Sequence, residues 1–298
     1  MRLAYGFPFH SAPPHLELCS GEALATLARR AEDRGFDAAF LTEHPAPSQA
    51  WREAGGHDAL DPFVGLGLVA GVTTRLRLLT YLTVVPYRNP FLLAKAVATL
   101  DRLSSGRVEL GMGAGYMRGE FAALGVDFDR RNELFDEALE VMVAAFTGDP
   151  VAYDGIAVSA RANAVQPTPV QQPHPPFWFG GNSRRTLQRV VVHGGGWMPL
   201  PNARASARHL HSPPLETLDD LTVLLGELRR FAEDAGAPAP PVMYCLPRRP
   251  DFGRPLTELV RALADLGVSW LSVNGEGATM AEALDFLDRS AESLLAAA

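Results

Sequence analysis

Three glycines stand at alternate positions, Gly111, Gly113 and Gly115, near the middle of the chain. They end a stretch that predicts a β-strand, and Tyr116 follows them directly. The dinucleotide fingerprint GxGxxG requires a last glycine where Tyr116 stands, so the match to that site is weak. Glycines at a strand end also let a flat ring system approach the backbone, because no side chain intervenes. A tight turn without any ligand is the remaining alternative.

A second glycine motif joins a predicted strand to a predicted helix, and it consists of Phe179, Gly180, Gly181, Asn182 and Ser183. Asn182 or Ser183 is placed to cap the start of that helix. Free amides at a helix start bind phosphate without the help of a lysine. The motif therefore predicts a phosphate site, and a helix cap with a glycine bend is the alternative that involves no ligand.

His44 falls at the end of a stretch that predicts the second strand, residues 37–44. Barrel enzymes keep their catalytic groups at the C-terminal ends of the strands. Because histidine titrates near neutral pH, it suits proton transfer. A histidine in a loop without a catalytic role is the alternative.

The elements that position these residues alternate between strand and helix along the whole chain. Residues 77–85 predict a strand, Asn89 and Pro90 begin a helix, and residues 107–113 return as a strand. Two strands joined by a helix lie parallel with a right-handed crossover. Eight such units predict one (β/α)8 TIM barrel domain over residues 1–298. Residues 148–176 lose the helical period and predict an insertion, a hairpin followed by a proline-rich extended segment.

Composition argues against several other classes of protein. The net charge of −7 offers no general attraction to nucleic acid or to an anionic membrane, and we expect neither as a partner. Cys19 and Cys245 are too few for a disulfide scaffold, and the single lysine, Lys95, lies mid-helix, which argues against a Schiff-base enzyme. His209 and His211 have no nearby acid, so no metal site is predicted. Without a signal-peptide pattern, we expect a cytoplasmic enzyme.

Three stretches in this order resemble the luciferase-like monooxygenase superfamily, in particular its actinobacterial branch of oxidoreductases that depend on coenzyme F420. They read GFDAAFLTEH, RNPFLLAKAVATLDRLSSGRVELGMGAGY and QPTPVQQPHPPFWFGGNSRRTLQRVVVHGGGWMP. The resemblance runs from about residue 3 to residue 197. It implies a TIM barrel that binds a flavin or a deazaflavin.

The resemblance also implies roles for the residues named above. It places His44 beside the reactive face of the ring and the cofactor phosphate at the turn from Gly180 to Ser183. It implies that the three strand-end glycines position the ring. It further implies a non-prolyl cis peptide that bends the third strand behind the ring, and Leu82–Thr83 is the best-aligned position.

Two departures from the resemblance bear on the substrate, and one residue is unexpected. The F420-dependent sugar-phosphate dehydrogenases have an acid where Tyr116 stands and a tryptophan where Ser48 stands, which counts against sugar-phosphate oxidation here. Glu109 is predicted to point into the barrel, where a buried carboxylate needs a partner. Arg77 is the candidate, and a structural ion pair is the favoured interpretation.

The sequence thus predicts an enzyme that passes a hydride between F420 and a small organic substrate. An FMN-dependent monooxygenase of the same family is one alternative, and a non-catalytic flavin-binding barrel is an alternative of another class. Trp51, Tyr116 and Trp197 are predicted to line an apolar substrate pocket that residues 201–214 close as a lid.

The polyglutamate tail of F420 favours exposed arginines near the site, and Arg184 and Arg185 are the candidates. The small-molecule substrate is the expected partner. The sequence leaves the oligomeric state open, and a homodimer is one assembly that it allows.

Overall fold

The structure, a computed structural model, describes residues 1–9, 17–246 and 255–297. Its centre is a ring of eight parallel strands surrounded by helices. The strands are β1 (Arg2–Gly6), β2 (Ala38–Leu41), β3 (Arg77–Thr80), β4 (Val108–Gly113), β5 (Phe177–Gly180), β6 (Gly196–Met198), β7 (Met243–Cys245) and β8 (Trp270–Asn274). The helices that follow them are α1 (Gly21–Asp33), α2 (Pro62–Val72), α3 (Pro90–Leu103), α4 (Arg131–Phe146), α5 (Arg184–Val192), α6 (Leu218–Asp234), α7 (Leu256–Asp265) and α8 (Met280–Ala297). The predicted (β/α)8 barrel is confirmed.

The strand order shows how the barrel closes. Neighbouring strands follow the order β7-β8-β1-β2-β3-β4-β5-β6. A bridge between Trp197 and Val242 joins the two ends of this series. Because all the strands run parallel, their C-terminal ends meet at one mouth of the barrel.

Side chains at the helix starts explain why helices begin where they do. The side-chain oxygen of Asn89 accepts the Phe91 amide at 3.0 Å, and Pro90 occupies the first turn, as predicted. Asp61 does the same for α2, where Pro62 is the first helical residue. Each helix start lies next to the end of the preceding strand, so helix N-termini surround the mouth of the barrel.

The interior of the barrel is filled by alternate residues of the strands. Its apolar cluster comprises Ala4, Ala38, Phe40, Leu79, Trp178, Met198, Met243 and Trp270. Glu109 is buried beside this cluster, where it forms an ion pair with Arg77 and accepts the indole N–H of Trp178 at 2.7 Å. The predicted Arg77–Glu109 pair is therefore confirmed.

The predicted insertion is also present. Strands Val151–Asp154 and Ser159–Asn163 form an antiparallel hairpin outside the barrel. Glu137 of α4 holds the hairpin turn, because its carboxylate accepts the amides of Ile156, Ala157 and Val158 at 2.6 to 2.9 Å. A segment with cis peptides at Gln166–Pro167 and Gln172–Pro173 then leads back to β5.

Two strands are shorter than predicted. β2 ends at Leu41 rather than at residue 44, so His44 lies in the loop that follows it. β3 ends at Thr80, and a short strand, Thr83–Val84, continues after a break. In both cases the strand ends with the pairing of Leu41 and Thr80, and the alternating pattern of the sequence continues beyond that pair into the loops of the mouth.

The loops at the mouth carry further short helices. These are Gln49–Glu53 after β2, the 3₁₀ turn Val85–Tyr87 after β3, Arg118–Ala123 after β4 and Arg204–Leu210 after β6. Across the described residues, no helix has the length and apolar character needed to cross a membrane.

Candidate active site

A cavity of about 410 Å³ opens at the C-terminal ends of β2 to β6. This volume falls in the range typical of sites for small molecules and cofactors. Many of the predicted site residues line it, namely His44, Leu82, Gly113, Gly115, Tyr116, Gly180, Gly181, Asn182 and Ser183. Gly111, Thr83, Trp51 and Trp197 are not part of its lining.

Leu82 forms the apolar floor of this cavity. The non-prolyl cis peptide lies between Tyr81 and Leu82, one residue before the predicted Leu82–Thr83 position. A Cβ at Gly113 would lie 3.0 Å from Leu82 Cδ1, and a Cβ at Gly180 would overlap the same methyl group. These two glycines therefore make room for the Leu82 side chain.

Of the three strand-end glycines predicted to position the ring, Gly113 and Gly115 line the cavity and Gly111 does not. Gly111 does not face the cavity, and a side chain there would collide with the carbonyl oxygen of Thr80. Thr83 is fully buried, and its hydroxyl has no hydrogen-bond partner within the described part of the chain. A ring in the cavity would therefore meet Leu82, which stands against Gly113 and Gly180, whereas Gly115 lies against Val84 and Phe121.

His44 lies at one end of the cavity among aromatic rings. Its ring centroid is 4.8 Å from that of Trp51, 5.0 Å from that of His57 and 6.3 Å from that of Tyr116. Trp51 thus belongs to the site through its contact with His44. Burial, with a smaller contribution from the charge of Glu120, raises the pKa of Tyr116, so its hydroxyl stays protonated near neutral pH.

Glu120 is the residue that sequence reasoning missed. Its carboxylate lies 3.4 Å from His44 Nδ1 and accepts the Tyr87 hydroxyl at 3.0 Å and the Ala46 amide at 3.2 Å. The sequence did contain a signal for this residue. Tyr116 stands where the F420-dependent sugar-phosphate dehydrogenases have an acid, and Glu120 is the next carboxylate along the chain.

A second buried carboxylate, Glu43, supports the floor of the cavity. It accepts the Val84 amide at 2.6 Å and a hydrogen bond from Arg88 at 2.6 Å. Arg88 also pairs with Asp61 at 2.7 Å. Burial raises the pKa of Glu43, and the charge of Arg88 opposes that rise. Glu43 thereby anchors the chain directly after Leu82.

The glycine turn before α5 meets the cavity at its other end. Ser183 caps α5 by accepting the Thr186 amide at 3.2 Å. The Gly181 amide donates to the Met198 carbonyl and the Asn182 amide to the Ser212 hydroxyl, both at 3.1 Å. An anion would therefore meet the first-turn amides of α5 other than that of Thr186, because no helix can satisfy these amides internally.

Asn182 holds a loop in place. Its buried side chain donates to the carbonyls of Leu200 and Pro213 at 2.7 and 2.8 Å and accepts the Leu200 amide at 2.8 Å. These contacts tie residues 200 and 213 together at the two ends of the segment predicted to act as a lid, residues 201–214. The predicted phosphate contact of Asn182 is not supported, since both its amide and its side chain are already hydrogen bonded.

Trp197 is also placed differently from the prediction. It is fully buried among the residues that pack between the sheet and the helices, and its indole N–H donates to the Gly181 carbonyl at 2.9 Å. Neighbouring residues on a strand face opposite sides, so Met198 lines the cavity and Trp197 does not. Trp197 supports the glycine turn from behind.

Three arginines give this end of the cavity a positive charge: Arg131, Arg185 and Arg189. Arg185 and Arg189 share one carboxylate, Asp136, at 3.1 and 2.7 Å. Arg131 stacks on the Phe128 ring at 4.0 Å and has no carboxylate within ion-pair distance among the described residues. The cluster therefore carries more positive than negative charge beside the start of α5.

Arg184 does not line the cavity, whereas His211 lines it beside Arg131. Arg184 is exposed and faces Glu227 at 3.5 Å. His209 packs against the Tyr116 ring and His211 against the Phe128 ring. In the described parts of the chain, no three metal-binding side chains converge on one point.

A family model described as luciferase-like monooxygenase matches residues 1–212. Among curated proteins, the uncharacterized protein Rv0953c of Mycobacterium tuberculosis is 35% identical over 190 residues. That match covers 59% of this chain and 67% of the relative.

Solved structures are similar over nearly the whole fold at low sequence identity. The monooxygenase RslO1 from Streptomyces bottropensis has a TM-score of 0.77 at 21% identity, covering 99% of both chains. An F420-dependent secondary alcohol dehydrogenase, in complex with an F420–acetone adduct, has a TM-score of 0.74 at 15% identity, covering 100% of this chain and 99% of the other. The oxygenating constituent of 3,6-diketocamphane monooxygenase from Pseudomonas putida, in complex with FMN, has a TM-score of 0.75 at 16% identity, covering 98% and 97%.

Proposed function

The chain belongs to the luciferase-like monooxygenase family, and from that premise we propose that it is an oxidoreductase that passes a hydride between coenzyme F420 and a small organic substrate. The observation that carries this proposal is the layout of one cavity. His44 lies at one end, the start of α5 and three arginines lie at the other, and Leu82 forms an apolar floor between them. Such a cavity suits a flat ring that carries a phosphate on a side chain.

The residues of the cavity fit a cofactor of this kind. Leu82 offers an apolar surface to one face of a ring, and Gly113 and Gly180 allow Leu82 to stand there. The first-turn amides of α5, with Arg185 and Arg189 close by, suit a phosphate. The bound cofactor would supply the ring carbon that exchanges the hydride.

The protein would supply orientation, shielding and proton transfer. His44 would hold the proton that accompanies the hydride at its Nε2 atom, because its Nδ1 faces Glu120. Trp51 and Tyr116 would limit the access of water to this atom. Residues 201–214, which Asn182 anchors, would cover the mouth.

The choice of F420 rests on two arguments. The sequence motifs resemble the F420-linked branch of the family, and Arg131 presents a cation without a carboxylate partner in the described chain. A tail of glutamates would supply such partners. Arg131 therefore replaces Arg184 as the candidate for that role, since Arg184 is not part of the cavity lining.

The second candidate is an FMN-dependent monooxygenase. Its support is the structural similarity to two monooxygenases, one of them in complex with FMN. The phosphate of FMN would suit the same first-turn amides and arginines. The two candidates therefore differ in the cofactor that this site prefers.

Titration of the purified protein with F420 and with FMN, followed by ring fluorescence, tests the proposal. We expect F420 to bind at least about tenfold more tightly, a difference of about 1.4 kcal/mol. Tighter binding of FMN would assign the protein to the monooxygenase class. Binding without turnover of any alcohol, aldehyde, ketone or enone in a substrate panel would favour the non-catalytic barrel.

A further inference from the structure

Glu120 is a buried carboxylate at the His44 end of the cavity. Glu120 lies on the short helix Arg118–Ala123, and only 1% of its surface is exposed. An ionised carboxylate removed from water is costly unless a cation and hydrogen-bond donors compensate for the loss of hydration. The donors are the Ala46 amide and the Tyr87 hydroxyl.

The cation is the informative partner. Within residues 1–9, 17–246 and 255–297, His44 is the one basic side chain within ion-pair distance of Glu120. Glu43, the other buried carboxylate nearby, is instead held by Arg88. The titratable groups that surround the His44–Glu120 pair are Glu43, His57, Tyr87, Arg88 and Tyr116.

We propose that Glu120 is the positioning residue for His44 in the reaction proposed above, on which this inference rests. Its carboxylate accepts the Nδ1–H of the imidazole, which leaves Nε2 for the substrate, and it stabilises the imidazolium when Nε2 carries the proton. In substrate oxidation Nε2 would take the proton of the substrate hydroxyl, and the bound cofactor would accept the hydride. In reduction both move in reverse, and Glu120 takes no proton in either direction.

Tyr87 completes the arrangement. Its hydroxyl donates to Oε2 of Glu120, the same oxygen that faces His44 Nδ1. Burial, followed by the charge of Glu120 and its hydrogen bond to that carboxylate, raises the pKa of Tyr87 well above its ordinary value. The phenol therefore remains a donor at every working pH, and it holds the carboxylate towards the histidine.

The first test reads the imidazole directly and requires no cofactor. Long-range ¹H–¹⁵N spectra distinguish the two neutral tautomers, and the His44 signals among the eight histidines are assigned by comparison with His44→Ala. We expect the Nδ1–H tautomer in the wild type. In Glu120→Gln the carboxamide has nearly the same shape but no charge, and we expect loss of that tautomer preference.

The second test uses single-turnover kinetics with bound F420. We expect Glu120→Gln to slow hydride transfer by about 10² or more. Cofactor affinity should stay within about twofold, because most binding contacts lie at the other end of the cavity. Tyr87→Phe should slow hydride transfer by a smaller factor and should also leave cofactor affinity nearly unchanged.

The matched control is Glu137→Gln, the same chemical change at a glutamate that is also buried but holds the hairpin turn. It should lower stability while leaving the His44 tautomer and the rate of hydride transfer as in the wild type. An unchanged His44 tautomer in Glu120→Gln would overturn the inference. Failure of the proposed function would instead appear as absence of F420 binding or turnover in the wild type, whatever the spectrum of His44 shows.

Discussion

Leu82 occupies the space that a side chain at residue 180 would need. A Cβ at Gly180 would overlap Leu82 Cδ1, and a Cβ at Gly113 would lie 3.0 Å from the same methyl group. Leu82 follows the cis peptide between β3 and Thr83–Val84, whereas Gly180 ends β5. Two distant parts of the chain are therefore complementary in shape beneath the cavity.

Gly180→Ala should destabilise the barrel and weaken cofactor binding, because the new methyl group displaces Leu82. Overpacking of this kind costs about 1–3 kcal/mol. In the Leu82→Ala background the same change should cost at least about 1 kcal/mol less, since the space is then free. Urea unfolding of the four proteins measures this coupling.

The control for Gly180→Ala is Gly226→Ala in α6, where a Cβ would meet no atom of the described residues within 4 Å. It should stabilise the protein by up to about 1 kcal/mol through helix propensity. Additive effects of the substitutions at residues 82 and 180 would contradict the packing relationship.

Gly181→Asp should weaken the binding of a phosphate-bearing cofactor by at least about tenfold relative to Gly181→Asn. Gly181 has φ +109°, so both variants have similar backbone strain, and a Cβ there would lie 3.5 Å from Thr186 Oγ1. The comparison therefore isolates the effect of a negative charge beside the first turn of α5. Fluorescence titration with thermal unfolding alongside measures both effects, and equal affinities would place the phosphate elsewhere.

His44→Ala should slow hydride transfer by a factor of about 10² to 10⁴, because a proton-handling group is lost. Cofactor affinity should change far less, since the phosphate contacts and the Leu82 surface remain. His44→Gln should be as slow if proton transfer is the role, and should recover much of the rate if hydrogen bonding suffices. Single-turnover kinetics beside an affinity titration separates these cases, and full activity of His44→Ala would show that the imidazole has no catalytic role.

Glu109→Gln should change how stability depends on pH. Burial raises the pKa of Glu109 above 4.5, although Arg77 and the Trp178 N–H oppose the rise. The folded state therefore binds this proton more readily than the unfolded state, and ionisation of Glu109 lowers stability as pH rises above about 4.5. The free energy of unfolding of Glu109→Gln minus that of the wild type should therefore increase between pH 4 and pH 7. Denaturant unfolding of both proteins measures this difference.

Glu32→Gln is a control for which the expected change of stability with pH has the opposite sign. Burial of Glu32 acts to raise its pKa, but hydrogen bonds from the Arg75, Leu76 and Thr74 amides outweigh that effect and lower it. The stabilising contribution of Glu32 is therefore present above pH 4.5 and lost as pH falls through the lowered value. Glu32→Gln should thus lose stability relative to the wild type as pH rises, and the same trend in both variants would contradict the two assignments.

Local sequence patterns were sufficient for the architecture and for part of the site. Caps such as Asn89 with Pro90 determine where a helix begins through atoms that are neighbours in the chain. The alternation of strand and helix then implies parallel strands and a common mouth. The predicted Arg77–Glu109 pair followed from the same logic, because strand periodicity alone turns Glu109 into the barrel.

Predictions that depended on the exact path of the chain at the mouth were less accurate. Periodicity does not reveal that β2 ends at Leu41, that the cis peptide lies at Tyr81–Leu82, or that Trp197 faces the helices. A shift of one residue turns a side chain to the opposite side of a strand. Trp197 and Met198 are neighbours on β6, and their side chains therefore face opposite sides of the strand.

The sequence by itself determined the barrel, its insertion and the order in which His44, the strand-end glycines and the phosphate-type turn follow one another. Only the tertiary structure decided that Leu82 fills the space beside Gly180, that Asn182 anchors a loop and that Glu120 lies against His44. The physical reason is the range of the interactions. Caps and periodicity act between residues a few positions apart, whereas these contacts join residues that are 18 to 98 positions apart in the chain and meet only when the barrel closes.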